Sequence, residues 1–186
     1  IVVAAFATSC SSSLAPLRKD GLKPTVVTET VLHDTDDPAI WIHPTNPQES
    51  LVIGTDKDTD GGLYVFNLQG KIIKKSETIK RPNNVDIAYG LQIDGVLTDI
   101  AVTTERETNK IRIFSLPDLK PLDNGGIPVF EGELERDPMG IAIYTRPSDK
   151  AVFAIVGRKS GPSGSYLWQY ELKGTSNAKV EATWVR

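Results

Sequence analysis

The chain has few of the residues on which common catalytic centres are built. Among its 186 residues are one cysteine, Cys10, and two histidines, His33 and His43. A single cysteine excludes an intramolecular disulfide. Proline stands at position 16, where the loop of cysteine phosphatases would need an arginine, and neither histidine lies in an Arg-His-Gly sequence. A Gly-x-Ser-x-Gly nucleophile elbow and a Walker loop are also absent, so these familiar hydrolase mechanisms are excluded.

The chain also lacks a basic excess and a long apolar run in its main part. Its net charge is −3, so a broad basic surface for nucleic acid is not indicated, and any anion site must be local. After the first residues, no segment approaches the roughly 20 apolar residues that a membrane-spanning helix needs. With 39% hydrophobic and 24% charged residues, the composition is that of an ordinary globular protein.

The N-terminal residues resemble an export signal. Residues 1–7 are apolar, and Ala7 to Cys10, followed by three serines, resembles a bacterial lipobox with a flexible tether. An ordinary secretory signal with an incidental cysteine is the alternative. Both interpretations predict an exported protein, either a lipoprotein of the outer membrane or periplasm or a secreted protein, with Cys10 as its only membrane attachment. We therefore assign residues 1–24 to signal and linker and residues 25–186 to the folded domain.

One sequence unit occurs three times in the folded domain. Each unit contains an apolar segment, a basic residue, a polar turn and an alternating segment. This pattern predicts three antiparallel hairpins, formed by residues 51–57 with 63–68, 100–106 with 111–116, and 153–159 with 167–172. The basic residues are Lys57, Arg106 and Lys159. Because repeats of about 40 to 50 residues made of short strands are typical of β-propeller blades, we predict an all-β protein with three blades.

Another apolar segment precedes each hairpin, and the chain closes on a further strand-like segment. The preceding segments begin at Asp37-Pro38, Val85-Asp86 and Asp137-Pro138, and residues 180–186 alternate as a strand does. Three blades do not close a propeller, which needs about four to eight. The chain is therefore expected to be a fragment of a longer protein. A β-sandwich with solvated basic residues is the alternative fold.

The repeated basic residues predict a site for an anion. Radial repetition carries equivalent positions around one axis, so Lys57, Arg106 and Lys159 are expected to surround a common mouth. Such a ring of cations is repulsive unless an anion occupies it.

Two acidic segments are candidate cation sites. Asp34, Asp36 and Asp37 lie within four residues, repel one another unless compensated, and offer the hard oxygen ligands that calcium prefers. An exposed Asp-rich turn is the alternative. Residues 56–60 form a second acidic stretch that lacks the spacing and final Glu of an EF-hand, so it receives no metal assignment. Cations together with calcium carboxylates fit metal-assisted hydrolysis of a polyphosphorylated substrate.

Three strings of residues carry a family resemblance. Asp34 to Trp41 (DTDDPAIW), Asn83 to Asp86 (NNVD) and Tyr166 to Leu172 (YLWQYEL), in this order, resemble the alkaline β-propeller phytases of bacteria. The resemblance extends from about Thr25 to Trp184. It implies a six-bladed propeller of which this chain is the N-terminal half, a monomer when complete, with calcium ions that stabilise the fold and others that act at the channel mouth. The implied substrate is calcium-bound myo-inositol hexakisphosphate (phytate), hydrolysed at its phosphomonoesters as by a 3-phytase.

The resemblance also assigns roles to individual residues. Asp36 matches a carboxylate that faces the active-site calcium, and Asp37, with the carbonyl groups of Pro38 and Val85, matches a structural calcium site. The residues that match the family's phosphate-binding cations, and that are the predicted catalytic and substrate-binding groups, are Lys57, Arg106 and Lys159.

The sequence departs from the family pattern in two places. Met139 stands where better-known members have Tyr, and Asp58 where they have a second Lys, so substrate affinity or preference is expected to differ. Most calcium ligands of the family lie in later blades, beyond Arg186, and the 186-residue chain alone is therefore expected to be inactive or nearly so. Two other functions remain open: a non-catalytic surface propeller that binds an anionic ligand or a partner protein, and a calcium-dependent propeller lactonase.

Overall fold

The computed structural model describes residues 20–186. Its regular structure in this range is almost entirely β-strand, with two single-turn 3-10 helices at Pro47–Glu49 and Arg106–Thr108. The prediction of an all-β protein is confirmed. The predicted lipobox at Cys10 lies outside the described residues, and the domain boundary after residue 24 stays a prediction.

Twelve strands form three antiparallel sheets of four strands each, in chain order. We call these sheets blades 1, 2 and 3. Blade 1 contains β1 (Thr35–Trp41), β2 (Leu51–Asp56), β3 (Gly62–Phe66) and β4 (Ile72–Lys75). Blade 2 contains β5 (Pro82–Ile93), β6 (Val96–Glu105), β7 (Lys110–Ser115) and β8 (Ile127–Pro128). Blade 3 contains β9 (Pro138–Thr145), β10 (Val152–Arg158), β11 (Leu167–Gly174) and β12 (Val180–Trp184). Successive four-stranded sheets are the arrangement of propeller blades, and the three predicted hairpins are β2–β3, β6–β7 and β10–β11.

No helix in the range 20–186 is both long and apolar enough to cross a membrane.

The first strands of the blades lie beside one another, β1 against β5 and β5 against β9. Apolar side chains fill the space between neighbouring blades. On β6, Ile100 and Val102 belong to the core between blades 2 and 3, whereas Ala101 belongs to the core between blades 1 and 2. Successive residues of a strand face opposite sides. A blade buried on both sides therefore needs a continuous apolar run, which the sequence of β6 supplies.

The segment before the first strand is fastened to the outer part of blade 1. The Glu29 N–H donates to Gly70 O at 2.8 Å, and the Glu29 carboxylate accepts from the Ile72 N–H and from Lys71 Nζ, each at 2.8 Å. Gly70 has a φ of +76°, and a Cβ there would lie 2.7 Å from the carbonyl oxygen of Val27. The turn between β3 and β4 therefore requires glycine to receive residues 26–31, which we call the N-terminal strap.

A buried cation joins the connection between blades 1 and 2 to the interior of blade 2. Arg112 on β7 contacts the Asp123 carboxylate at 2.8 Å, the Glu105 carboxylate at 3.7 Å and the Glu77 carboxylate. Burial lowers the pKa of the Arg112 guanidinium, but its hydrogen bonds to Asp123 and Glu77 outweigh this effect and the pKa lies above its ordinary value. The guanidinium therefore stays charged and compensates carboxylates that would be costly to bury alone.

Candidate functional site

The three repeated cations occupy equivalent backbone positions. Each is the first residue after the second strand of its blade. In each case the backbone N–H donates to the carbonyl oxygen of the residue immediately before the first strand of the same blade. The hydrogen bonds are Lys57 to Asp34 at 2.7 Å, Arg106 to Arg81 at 3.2 Å and Lys159 to Asp137 at 2.8 Å. The sequence repeat thus corresponds to a structural repeat that presents one cation per blade at the same end of the sheet.

A β-bulge lies beside each cation, at the same place in the first strand of every blade. The flanking pairs are Thr35 with Asp56 and Pro38 with Gly54 in blade 1, Pro82 with Glu105 and Val85 with Thr103 in blade 2, and Pro138 with Arg158 and Ile141 with Val156 in blade 3. The residues inside the bulges are Asp36-Asp37, Asn83-Asn84 and Met139-Gly140. Because bulges redirect side chains, blades 1 and 2 present polar oxygen atoms beside their cations, and blade 3 does not.

Two buried threonines connect the bulges of blades 1 and 2 to the blade that follows, Thr55 in blade 1 and Thr104 in blade 2. We call them the clamp threonines. Thr55 Oγ1 accepts from the Asp37 N–H at 3.0 Å and donates to Asn83 O at 2.9 Å. The equivalent bonds in blade 2 run from the Asn84 N–H to Thr104 Oγ1 at 3.3 Å and from Thr104 Oγ1 to Met139 O at 3.1 Å. Each clamp threonine stands two residues before its cation, so it fixes the neighbouring bulge relative to that cation.

A chain of side-chain contacts joins the cations of blades 1 and 2. Lys57 Nζ lies 2.5 Å from Asp36 Oδ1 and 3.5 Å from Asp34 Oδ2. The buried Asn83 amide donates to Asp36 Oδ2 at 3.1 Å and accepts from Arg106 Nη1 at 3.3 Å. The hydrogen bond that Lys57 donates to Asp36 is the main cause that raises the pKa of Lys57 above its ordinary value. Two of the predicted cations are thus held in one polar network across the blade boundary.

The third predicted cation, Lys159, stands apart from this network. Its side chain is exposed and makes no hydrogen bond or ion pair within residues 20–186. It opens the Gly- and Ser-rich loop between β10 and β11. Lys159 therefore shares the backbone position of Lys57 and Arg106, and its ammonium group is free to accept an anion directly.

Of the residues predicted to hold a structural calcium ion, Asp37 and Val85 are in contact. Asp37 Oδ2 accepts a hydrogen bond from the Val85 N–H at 2.9 Å, across the boundary between blades 1 and 2, and Pro38 follows Asp37 in β1. The contact with Val85 is made by its N–H group and not by the predicted carbonyl. Carboxylate and carbonyl oxygens form the donor set that calcium prefers, so Asp36, Asp37 and their neighbours fit a calcium ion by chemistry.

A second candidate cation position lies beside Lys57. His33, Asp58 and Asp60 offer one imidazole and two carboxylates whose ligand atoms lie within 4.8 Å of one another. His33 Nε2 is 2.9 Å from Asp60 Oδ1. Residues 56–60 received no metal assignment from the sequence because the segment lacks the spacing and final Glu of an EF-hand. The histidine comes from the segment that leads into β1, and only the fold brings it to the loop.

Sequence reasoning also missed Asn83 as a connection between cations and missed the clamp threonines. A signal for the threonines was available, since Thr55 and Thr104 stand at the same position of aligned repeats. No local signal existed for Asn83, because its role depends on which bulge lies beside which cation.

Comparison with known proteins agrees with this architecture. The family model described as Phytase matches residues 3–186. The 3-phytase of Bacillus subtilis (strain 168) is 32% identical over 137 residues, which cover 70% of this chain and 35% of the relative. The chain thus spans about a third of the length of the curated relative that it matches. With three propeller-type blades and a family match over nearly its whole length, the chain belongs to the phytase family of β-propeller proteins.

Proposed function

We propose that the full-length protein hydrolyses phosphomonoesters of myo-inositol hexakisphosphate with calcium as cofactor. The observation that carries this proposal is the repeated placement of Lys57, Arg106 and Lys159 at one equivalent point of consecutive blades. Cations repeated at equivalent points of consecutive blades suit a substrate that carries many phosphates. The matched relative is named a 3-phytase, and the proposal extends this reaction to the present protein.

The three cations bind phosphate oxygens and offset the charge that develops on them in the transition state. Lys159 does so from an unpaired state. Lys57 must first exchange its Asp36 partner for phosphate, so part of its binding free energy is used to break an existing ion pair. Arg106 already donates to Asn83, which holds its guanidinium beside the blade 1 carboxylates.

Calcium fits the oxygen atoms that blade 1 presents. We propose Asp36 as a ligand at the substrate, and Asp37 with the carbonyl groups of Pro38 and Val85 as ligands that stabilise the fold. Bound calcium would offset phosphate charge and lower the pKa of a water molecule that attacks phosphorus. Asn83 donates to the second oxygen of Asp36 and thereby keeps that carboxylate oriented.

Phosphate release from phytate by the purified full-length protein tests this function. We expect steady release with added calcium, and loss of activity with EDTA that excess calcium reverses. Tight phytate binding without release would instead identify a non-catalytic anion-binding propeller. Opening of a lactone substrate without phosphate release would identify the lactonase alternative.

We propose in addition that residues 1–186 alone bind phytate but release little phosphate, since they hold most of the candidate phosphate-binding groups and few of the family's calcium ligands. Release by this chain at the rate of the full-length protein would contradict this proposal.

We also propose that the protein is exported and attached to a membrane through a lipid on Cys10. Replacement Cys10→Ser should move the protein from the membrane fraction to the soluble fraction of fractionated cells. An unchanged distribution would favour the ordinary secretory signal.

A further inference from the structure

A buried charged residue directly precedes each of the three cations. These residues are Asp56, Glu105 and Arg158, whose exposed fractions are 0%, 5% and 4%. Burying a charged group costs free energy unless hydrogen bonds and opposite charges compensate it. An apolar residue would fill the end of a strand without that cost, so the contacts of these residues indicate what they contribute.

In blade 1, Asp56 holds the segment that leads into the first strand. Its Oδ1 atom accepts from the His33 N–H at 3.1 Å and from the Asp34 N–H at 2.8 Å. The next residue, Lys57, donates its own N–H to the carbonyl oxygen of Asp34. Two consecutive residues thus fix the N–H and the carbonyl of the same residue, one through a side chain and one through the backbone.

Blade 2 repeats this arrangement with a longer side chain. Glu105 Oε1 accepts from the Lys80 N–H at 2.8 Å, and the following Arg106 donates its N–H to Arg81 O. Glu105 also lies 3.7 Å from Arg112. We call the residues that lead into the first strand of a blade its lead-in segment. The lead-in segment of blade 2 is therefore held at two successive residues, Lys80 and Arg81, as that of blade 1 is held at His33 and Asp34.

Blade 3 reaches the same result with the opposite charge. Arg158 Nη1 donates to the carbonyl oxygen of Glu135 at 3.0 Å, and Lys159 donates its N–H to Asp137 O. The guanidinium also contacts the Glu133 carboxylate at 2.7 Å and the hydroxyl of Ser165. Since the sign of the charge differs between blades, the shared element is the bond to the lead-in segment.

We propose that Asp56, Glu105 and Arg158 are positioning residues that fix the backbone from which each phosphate-binding cation projects. This inference rests on the proposed function of the cations. A long cationic side chain loses less conformational freedom on binding when its base is already fixed, so each buried residue would raise the affinity for phosphate without touching it.

A double-mutant cycle on Glu105 and Arg106 in the full-length protein tests the inference. Binding of phytate is measured by calorimetry, and kcat/KM is measured by phosphate release. We expect Glu105→Ala to lower both by about tenfold in the natural background and by less than about twofold in the Arg106→Ala background. Glu105→Gln keeps an acceptor oxygen for the Lys80 N–H and should stay within about threefold of the unmodified protein.

Glu107→Ala is the matched control, because Glu107 is an exposed acid of the same loop whose carboxylate, within residues 20–186, accepts a hydrogen bond from Thr59 alone. It should leave both quantities unchanged. An equal loss from Glu105→Ala in both backgrounds, or a Glu105→Gln protein as weak as Glu105→Ala, would show a merely structural role and overturn the inference.

Glu105 also contacts Arg112, so Glu105→Ala can fail to fold for an unrelated reason. The cycle of Asp56→Ala with Lys57→Ala, and Asp56→Asn as the conservative variant, then decides by the same criteria, since Asp56 has no contact with Arg112. An unmodified protein that hydrolyses phytate but shows additive cycles refutes only the positioning role. An unmodified protein that neither binds nor hydrolyses phytate refutes the proposed function.

Discussion

The boundary between blades 1 and 2 and the β9–β10 bulge of blade 3 each lie beside a cation, but they hold it with different chemistry. At the first, a bulge rich in polar atoms, a clamp threonine and the chain from Lys57 through Asp36 and Asn83 to Arg106 hold the cations in place. At the second, the bulge contains Met139-Gly140, and Gly157 stands two residues before the cation, where the other blades have threonine.

The difference separates two properties of a binding cation. The backbone fixes Lys57 and Lys159 equivalently, yet Lys57 is already neutralised by Asp36 and Lys159 is not. The Lys57 side chain is therefore held in place by the ion pair that also neutralises its charge. The Lys159 side chain keeps its charge available for an anion because it has no such partner among residues 20–186 to hold it. The comparison predicts unequal contributions from residues that the sequence repeat makes equivalent.

The largest expected effect comes from replacing each of the two lysines by alanine in separate variants. In the full-length protein, Lys159→Ala should lower kcat/KM for phytate by about 100-fold and Lys57→Ala by about tenfold, because only Lys159 offers its full charge without breaking an ion pair. Steady-state kinetics of phosphate release measure both values. A larger loss of kcat/KM from Lys57→Ala than from Lys159→Ala would contradict the view that the ion pair with Asp36 limits the contribution of Lys57.

Removal of a clamp hydroxyl should cost stability where the clamp exists. Thr55→Val and Thr104→Val each remove a hydrogen-bond partner from a part-buried N–H and from a carbonyl of the next blade, so we expect a loss of about 1–2 kcal/mol in the free energy of unfolding. Urea denaturation of the full-length variants measures this loss. Ser115→Ala, at a half-buried hydroxyl near the opposite end of blade 2, is the control and should cost less.

Releasing Lys57 from its partner should make blade 1 behave more like blade 3. Asp36→Asn keeps an oxygen for Asn83 but removes the charge beside Lys57, so phytate binding in the presence of EDTA should tighten by about threefold to fivefold. The same change should lower the raised pKa of Lys57 toward its ordinary value, since the hydrogen bond that Lys57 donates to the Asp36 carboxylate is the main cause of the raised pKa.

The raised pKa of Lys57 also sets the sign with which its ion pair makes the free energy of unfolding depend on pH. A cation with a raised pKa stabilises the folded state fully below its ordinary pKa, and this contribution is lost as the pH rises through the raised value. Calorimetry measures the change in phytate binding, and titration of the Lys57 amine by NMR measures the change in its pKa. Weaker phytate binding by Asp36→Asn in EDTA would contradict the view that Asp36 competes with phosphate.

The smallest expected effect comes from building the missing clamp into blade 3. A Cβ at Gly157 would lie 3.7 Å from the Gly140 N, the counterpart of the N–H groups that the clamp threonines accept from, and 3.4 Å from Leu167. Gly157→Thr should therefore raise the free energy of unfolding by up to about 1 kcal/mol. Gly157→Val, which has the same shape without the hydroxyl, is the control; an equal gain from both would assign the effect to backbone entropy.

The sequence predicts the strands of each hairpin and the equivalence of the three cations, because both follow from local alternation and from the repeat. It does not predict the bulges. Pro138 pairs with Arg158 and so corresponds to Thr35, although Asp137-Pro138 looks like Asp37-Pro38 in the sequence. An extra residue in a strand is fixed by hydrogen bonds to other strands and neighbouring blades, and these partners are distant in the chain.

The buried charges before the cations also escaped prediction. Asp56, Glu105 and Arg158 are polar residues at strand ends, where solvated side chains are the ordinary expectation. Their burial results from the lead-in segment, which folds back over the strand end and takes up their hydrogen bonds. The roles of the predicted phosphate and calcium ligands stay predictions, since they depend on the experiments above.

The N-terminal strap determines where a mechanical load would enter the fold. Tension applied to the chain ahead of residue 26 is transmitted through Glu29 to Gly70, Lys71 and Ile72, which lie at the turn and outer strand of blade 1. The first strand and its cation are shielded from that force until these three bonds break. Under load the strap would therefore yield before the bonds that Asp56 and Lys57 make to Asp34.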